Sequence, residues 1–454
     1  MPDKSHVYKL FALFLIFIAG LFLRIGAVLE TEVSNPLRAD AGQYLSYAYN
    51  LRHAGVYSKE RPWSNPSPLS APTPDALCTP GYPLFLLPFA GLNVTQQTIL
   101  DITLVQALFS ALLPLLVFRL GTLILPGAWP LLPALLTALS PQLVISNTYV
   151  LTETLFTFLL LAAITVLATA FSSTKARAWK ILLAGMLVGL GALTRPTLNY
   201  YWVALLVPIW LQTQQPAKTR LRMTAILLAG CLLVYAPWTV RNLTTLGVTS
   251  DPTLAAGTLI HGSYPNYSYE DRPESRGYPY RFDPHFDRFG HSTTDALAEI
   301  WRRASNEPGR YLAWYLFGKP AGYLGWGDAA ALNNIFTYPP DKSPYFTSTP
   351  FALTFMLMHL SHWLWIIMAL AGIVISVVQI KRKRLEPAHL FILSLLSITI
   401  IYFLVIHMAA FPIARYNIPI LPLIFILAIV TFSAATTRLN SIIKGRNTLS
   451  EAVL

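Results

Sequence analysis

The chain reads as an all-α polytopic membrane protein: about ten or more transmembrane helices, amphipathic helices on the membrane surface, and two long non-cytoplasmic loops. Three observations predict this. Of 454 residues, 54% are hydrophobic and 12% are charged, whereas a soluble domain carries about 25% charged residues. Apolar runs long enough to cross a bilayer recur along the chain. The basic residues, which give a formal net charge of +12, gather between those runs, as in loops that face anionic lipid. That placement points to membrane lipids as the partner of the charge and away from nucleic acid.

The first run, Tyr8 to Leu29, is ~33 Å long as a helix, enough for a ~30 Å hydrocarbon core. No small-residue cleavage site follows it, so it reads as an uncleaved span and not as a signal peptide. Further spans fall near 98–121, 126–146, 152–171, 180–195, 197–213, 222–240, 353–380, 387–409 and 417–436. Pro196, in "TRPT", parts the fifth from the sixth, because proline cannot continue a helical hydrogen-bond ladder. The run "GYPLFLLPFAGL" (Gly81 to Leu92) is too short to span and reads as an interfacial or embedded segment.

With the N-terminus inside, this count places Lys4, Lys9, Arg119, Lys175, Arg177, Lys180, Lys218, Arg220 and Arg222 on the cytoplasmic side, together with "KRKR" (Lys381 to Arg384), Arg438, Lys444 and Arg446. Both termini are then cytoplasmic, in a plasma (inner) membrane. Residues 1–240 form an N-terminal transmembrane region that includes a first outer loop, 30–80. Residues 241–352 form a large outer loop with a surface-lying helix, and 353–454 a C-terminal transmembrane region. Long loops in a compact protein are usually functional. No internal repeat supports an inverted-repeat transporter.

The first outer loop holds "LRADAGQYLSYAYNLRHAGVYS", Leu37 to Ser58. Ala41, Tyr44, Leu45, Ala48 and Leu51 fall at helical spacing behind Asp40. The spacing predicts a surface helix led by Asp40, where the helix dipole favours an anion. On spacing alone a simple capping role stands beside a chemical one. Other charges sit at the same outer end of the spans: Glu153 in "VLTETLF", Arg195 in "GALTRPTLNYYW", Arg241 in "APWTVRNL" and Arg415 in "FPIARYNIPILP". Outer arginines run against the positive-inside bias and each needs a reason. Singly, each is explained by snorkelling to lipid headgroups. Together with the two carboxylates they describe a cavity for a phosphorylated, membrane-anchored ligand, which guanidinium groups bind bidentately. Lys319, in "PGRYLAWYLFGKPAGYLGWGD", either reaches the same phosphate or snorkels.

The second loop alternates aromatics with Asp, Arg and His between His261 and His291. Tyr264, Tyr267 and Tyr269, with Tyr44 and Tyr416, are the candidates for holding a sugar; an ordinary ordered loop is the plain alternative. Asp283, His285, Asp287 and His291 match no metal-ligand spacing, so no metal site is predicted and no cofactor is required. Cys78 lies in a polar loop and Cys231 in an apolar run, which argues against a disulfide. The chain has no P-loop, GxSxG, HExxH or Rossmann glycine motif, which speaks against ATP-driven transport and against serine or zinc hydrolysis.

The pieces "RADAGQYLSYAYNLRHAGVYS", "TPGYPLFLLPF", "TETLF", "ALTRPT", "PWTVRN" and "RYNIPILP" occur in this order from residue 38 to about 422. In that order they resemble the C-type glycosyltransferase superfamily, in particular the bacterial relatives of the protein O-mannosyltransferases and of the aminoarabinose transferase that modifies lipid A. The resemblance implies a polyprenyl-phosphate-linked sugar donor, transfer on the outer side of the membrane, and inversion at the anomeric carbon. It implies that Asp40 is the catalytic acidic residue and general base, with a lipid, glycan or protein as acceptor. Many relatives carry Glu directly after that Asp; here Ala41 follows, and Glu153 is the remaining outer carboxylate for a catalytic role. A flippase, ligase or polymerase of lipid-linked glycans is the alternative.

Overall fold

In the computed structural model, residues 4–61, 72–172, 177–327, 334–382 and 385–451 are described. Of the basic residues assigned above to cytoplasmic loops, Lys175, Lys383 and Arg384 lie outside them. The elements follow from uninterrupted apolar runs and from the prolines and glycines that end them. Helix α1 (Lys4–Glu30) leads through β1 (Glu32–Val33) into α2 (Asp40–Ala54) and α3 (Gly81–Leu86). Then come α4 (Gln96–Ala111), α5 (Leu113–Gly121), α6 (Leu131–Leu139), α7 (Pro141–Ile145), α8 (Glu153–Ser172), α9 (Arg177–Thr194), α10 (Tyr201–Trp210) and α11 (Ala217–Leu246). The segment between α11 and the last three helices carries α12 (Thr253–Ser263), α13 (Phe286–Phe289), α14 (Thr293–Asn306), α15 (Pro308–Ala313), α16 (Lys319–Leu324), β2 (Pro340–Lys342) and α17 (Pro344–Thr347). Three long helices follow: α18 (Thr349–Lys381), α19 (Pro387–Ala409) and α20 (Leu421–Glu451).

The protein is an all-α, multi-pass membrane protein. Among the described residues, eight helices are long and apolar enough to cross a membrane, and a ninth crossing forms if the pair α6–α7, bent by 53°, is taken as one. Two of the ten predicted spans therefore take another form. The run at 126–146 is broken at Pro141. The run at 197–213 keeps only the ten residues of α10 as α-helix, after a short 3-10 turn at Pro196–Leu198. That segment still lies antiparallel along α19. Near one end the Tyr402 hydroxyl donates to the carbonyl of Thr197 (2.5 Å) and Tyr201 pairs with Thr399 (2.6 Å). At the other, Gln212 donates to the carbonyl of Pro387 (3.1 Å).

Close approach of α9 and α11 is set by glycine. A Cβ on Gly185 would lie 2.2 Å from the carbonyl oxygen of Leu227, and one on Gly230 2.3 Å from that of Leu182. Backbone contact of this kind is how helices associate where burial of apolar surface gives little drive.

The break at Pro141 has a counterpart that spacing does not reveal. Pro141 lacks the N–H that would bond the carbonyl of Thr137. The fully buried guanidinium of Arg24, in α1, supplies the donors instead. It gives hydrogen bonds to the carbonyls of Thr137 (3.1 Å), Ala138 (2.9 Å) and Gly20 (3.0 Å), and to Ser110 Oγ (2.7 Å). A charge inside a span persists only when satisfied in this way. Arg24 thus fixes the direction in which the chain leaves the break, toward Glu153.

Outside the spans, β1 pairs antiparallel with β2, Glu32 opposite Lys342. The Lys342–Glu32 ion pair (2.9 Å) and a hydrogen bond from Ser34 to Asp341 (2.9 Å) reinforce the pair. The exit of α1 is thereby stitched to the chain just before α17.

Arg24→Met is expected to leave two buried carbonyls unpaired and to cost about 2–5 kcal/mol of stability, read as a lowered unfolding midpoint in detergent. Ser110→Ala removes one partner only and is expected to cost about 1 kcal/mol. An unchanged midpoint for Arg24→Met would show that the break does not depend on it.

Candidate active site

Four chain segments bring their charges to one place. Asp40 is the first residue of α2, Glu153 the first of α8, Arg195 directly follows α9, and Arg415 lies in the 3-10 stretch Ala414–Ile420 before α20. Glu153 is the centre. Its Oε1 accepts from Arg195 Nη1 at 2.7 Å and from Arg415 Nε at 2.6 Å, and its side chain is 3% exposed. Its other oxygen, Oε2, is buried and accepts no hydrogen bond among the described residues. Arg415 reaches on toward Asp40, Nη2 to Oδ2 3.7 Å, a loose contact beyond hydrogen-bond range, and the Asp40 side chain is 50% exposed. Two carboxylates and two guanidinium groups thus form a chain of contacts with no net charge, buried at Glu153 and open at Asp40.

Neighbouring residues hold this arrangement. Arg195 also donates to Thr152 Oγ1 (3.2 Å) and lies over the Tyr416 ring, 4.6 Å from its centroid. Tyr416 therefore packs beneath the arginines. Tyr338 joins the chain before both carboxylates: its hydroxyl donates to the carbonyl of Arg38 (3.3 Å), and its carbonyl accepts from the Tyr149 hydroxyl (3.0 Å). Gln106 donates to the carbonyls of Asn147 and Tyr149 (3.2 and 2.8 Å) and accepts from Tyr82 (2.7 Å). Tyr338, Tyr149 and Gln106 were not legible in the sequence, because each acts on the backbone of a distant segment.

The turn into α2 is strained. Ala39 has φ 49°, ψ −122°, a backbone region that residues with a Cβ rarely adopt. Gly42, in the first turn, permits it, since a Cβ there would meet the carbonyl oxygen of Leu37 at 2.3 Å. The predicted helix face is present: Ala41, Leu45 and Ala48 are fully buried. Tyr44 packs edge-on against Tyr82, centroids 5.2 Å apart. Burial, then the nearby Asp40 carboxylate, raise its pKa well above the ordinary tyrosine value, so it stays a neutral donor beside the cluster.

Two of the predicted phosphate ligands are engaged elsewhere. Arg241 donates to the carbonyls of Asp75 (2.7 Å) and Tyr57 (3.2 Å), pinning the first outer loop to α11. Lys319 is fully buried, and its ammonium donates to the carbonyls of Met408 (2.8 Å) and Ala410 (3.0 Å) at the end of α19. It satisfies a helix C-terminus, where backbone carbonyls lack partners. Tyr264 and Tyr267 are likewise internal, one bonded to Asp283 (2.6 Å), the other to the carbonyl of Pro412. Tyr269 lines a cavity in the outer lobe. Among the described residues no group of three His, Cys, Asp or Glu side chains could hold a metal ion. Asp283 pairs with Arg303 (2.6 Å), while Asp287 faces His291 at 4.0 Å.

The chain has the fold of crystallised oligosaccharyltransferases of Archaeoglobus fulgidus. The apo form is 15% identical with a TM-score of 0.54. The AglB complex with an inhibitory peptide and a dolichol-phosphate is 15% identical with a TM-score of 0.52. Each covers 97% of this chain and 52% of its own, so this chain spans about half the length of the proteins it matches. ArnT from Cupriavidus metallidurans bound to undecaprenyl phosphate, 12% identical over 90% of this chain and 78% of that one, has a TM-score of 0.38, too low to add weight. Residues 80–240, which contain Glu153 and Arg195, match the family described as dolichyl-phosphate-mannose-protein mannosyltransferase. No curated protein matches by sequence. The resemblance to the C-type glycosyltransferases read from the sequence motifs is borne out.

Burial pushes Lys319 down from the ordinary 10.5 to about 7. Between those two values the unfolded chain holds the extra proton, so stability rises with pH, by up to about 1.4 kcal/mol per pH unit. Below pH 7 both states are protonated and the effect ends. The midpoint of the parent protein in detergent is expected to rise from pH 7 to 9 relative to Lys319→Met; parallel curves would contradict this.

Proposed function

We propose that the protein is a glycosyltransferase that moves a sugar from a polyprenyl-phosphate donor to an acceptor hydroxyl on the non-cytoplasmic side of the membrane, with inversion. The convergence of Asp40, Glu153, Arg195 and Arg415 carries this reading. Arg195 and Arg415 keep N–H groups not used by Glu153, and these bind the donor phosphate. Once phosphate engages Arg415, its loose contact with Asp40 is given up, and the carboxylate is free to accept a proton.

The acceptor oxygen then attacks the anomeric carbon from the face opposite the phosphate. Its proton passes to Asp40 as the new C–O bond forms. The bond from the anomeric carbon to the phosphate oxygen breaks, and the electron pair leaves with the polyprenyl phosphate. The two guanidinium groups stabilise that dianion, and the transition state is oxocarbenium-like. Phosphate leaves without a general acid, so one exposed carboxylate suffices. The sequence grouped Glu153 with Asp40 as catalytic, but its burial and double ion pair support a positioning role. It holds both arginines in register, and its orphan Oε2 suits a hydroxyl of a bound sugar.

Asp40→Asn is expected to lower transfer from a labelled polyprenyl-phosphate sugar by about 10²–10⁴-fold while leaving the unfolding midpoint close to the parent's, because its one contact is loose and half-exposed. Glu153→Gln is expected to cost about 3–5 kcal/mol of stability, since it breaks a buried ion pair. Near-parental transfer by Asp40→Asn would remove Asp40 from the mechanism.

A further inference from the structure

The outer segment between α11 and β2 folds into a lobe with a cavity of about 250 Å³, on the scale of a single sugar unit. Its lining is polar, and its charges nearly balance: four carboxylates (Glu270, Asp283, Glu299, Glu307) stand against three arginines (Arg302, Arg303, Arg310), one negative charge in excess. Glu299 accepts two bonds from Arg302 (both 2.7 Å) and one from Arg303 (2.6 Å). Asp283 accepts from Arg303 and from the Tyr264 hydroxyl (2.6 Å each). Arg310 bridges Asp271 (2.6 Å) and Glu307 (3.1 Å). Bidentate pairing of Arg302 with Glu299, and bridging of two carboxylates each by Arg303 and Arg310, fix these planar groups, so they offer directed donors and acceptors with a small acidic excess that disfavours an anion. Hydrogen bonds from Arg302 hold Glu299 at about 2, which keeps that carboxylate ionised at every physiological pH. Tyr269 and Tyr311 add aromatic walls.

A second observation points the same way. Among the described residues only five non-glycine residues have positive φ, and four of them fall in the stretch that passes the cavity: Asn266 (56°), Tyr267 (57°), Asp271 (56°) and Glu270 (50°), the last of which lines it. Asparagine and aspartate tolerate such angles, whereas Tyr267 and Glu270 hold them at a cost. Strain of this kind collects at ligand clamps. The lobe is also fastened to the segment that carries Arg415. His261 stacks on Phe411 (3.7 Å), and Tyr267 bonds the carbonyl of Pro412. None of the lobe lies within the family-matched segment 80–240.

We propose that this cavity binds a neutral saccharide and that it is where the acceptor is held. Largely compensated planar groups with aromatic walls match a ligand with many hydroxyls, no negative charge and apolar C–H faces. As a saccharide site the cavity rests on the lobe alone; as an acceptor site it rests on the transferase reading above.

The test uses the full chain in nanodiscs, titrated with mannobiose, maltose and N-acetylchitobiose, and with a glucuronate-containing disaccharide and inorganic phosphate as contrasts. Binding is followed by saturation-transfer NMR. At least one neutral disaccharide is expected to bind saturably with a Kd of about 1–10 mM. Tyr269→Ala and Arg310→Ala, at the partly exposed rim, are each expected to weaken binding by about 10-fold, one hydrogen bond or stacking contact being worth ~1.4 kcal/mol. Both should unfold at the parent's midpoint. Asp40→Asn should bind saccharide as the parent does while losing transfer, which separates the two readings. Absence of saturable binding by all three neutral disaccharides, tighter binding of glucuronate or phosphate, or full binding by both rim variants would each overturn the proposal.

Discussion

The face of the protein that carries the candidate site is organised by one buried carboxylate held between two arginines. Glu153 draws in Arg195, from the end of α9, and Arg415, from the approach to α20. A carboxylate this deep would be costly alone, and each arginine would be costly without it. The mutual need fixes the relative height of three helix ends. Everything else on that face takes its position from this: Tyr416 packs under the two guanidinium groups, and Asp40 stands within reach of the spare end of Arg415.

A neutral cluster also suits the proposed handling of a phosphate at a membrane surface. Uncompensated arginines would gather headgroup phosphates from any lipid. In the proposed mechanism, pre-paired ones respond to a phosphate that competes with the weak Asp40 contact and leaves the Glu153 bonds alone. The difference between contacts of 2.6 and 3.7 Å on one arginine is what separates its structural side from its chemical side.

The first span and the Asp40-led helix were legible in the sequence because their signals are local: hydrophobic length, and apolar spacing behind an acidic residue. Glu153, Arg195 and Arg415 were legible as charges at outer span ends, since topology alone brings those ends to one face. Arg241 and Lys319 looked the same by that criterion and serve otherwise. An outer cation faces phosphate or a backbone carbonyl depending on which distant segment comes to meet it, here residues 57, 75, 408 and 410. Arg24 escaped notice for a related reason: the proline break it repairs lies more than a hundred positions away in the chain. The buried tyrosines 264 and 267 belong to a small core that the loop builds for itself, and a sequence rich in proline and tyrosine carries no periodicity to announce one.

The pairing that closes the cluster spans 262 positions, from Glu153 to Arg415, and the strand pair between β1 and β2 spans about three hundred. A chain made from its N-terminus inserts its spans in order. Asp40, Glu153 and Arg195 are then in the membrane long before their last partner is synthesised, with Glu153 holding a single arginine and the strand at the exit of α1 still an open edge. The cluster around Glu153 is therefore complete only when the segment before the final helix has been made, and the strand at the exit of α1 finds its partner only once β2 exists.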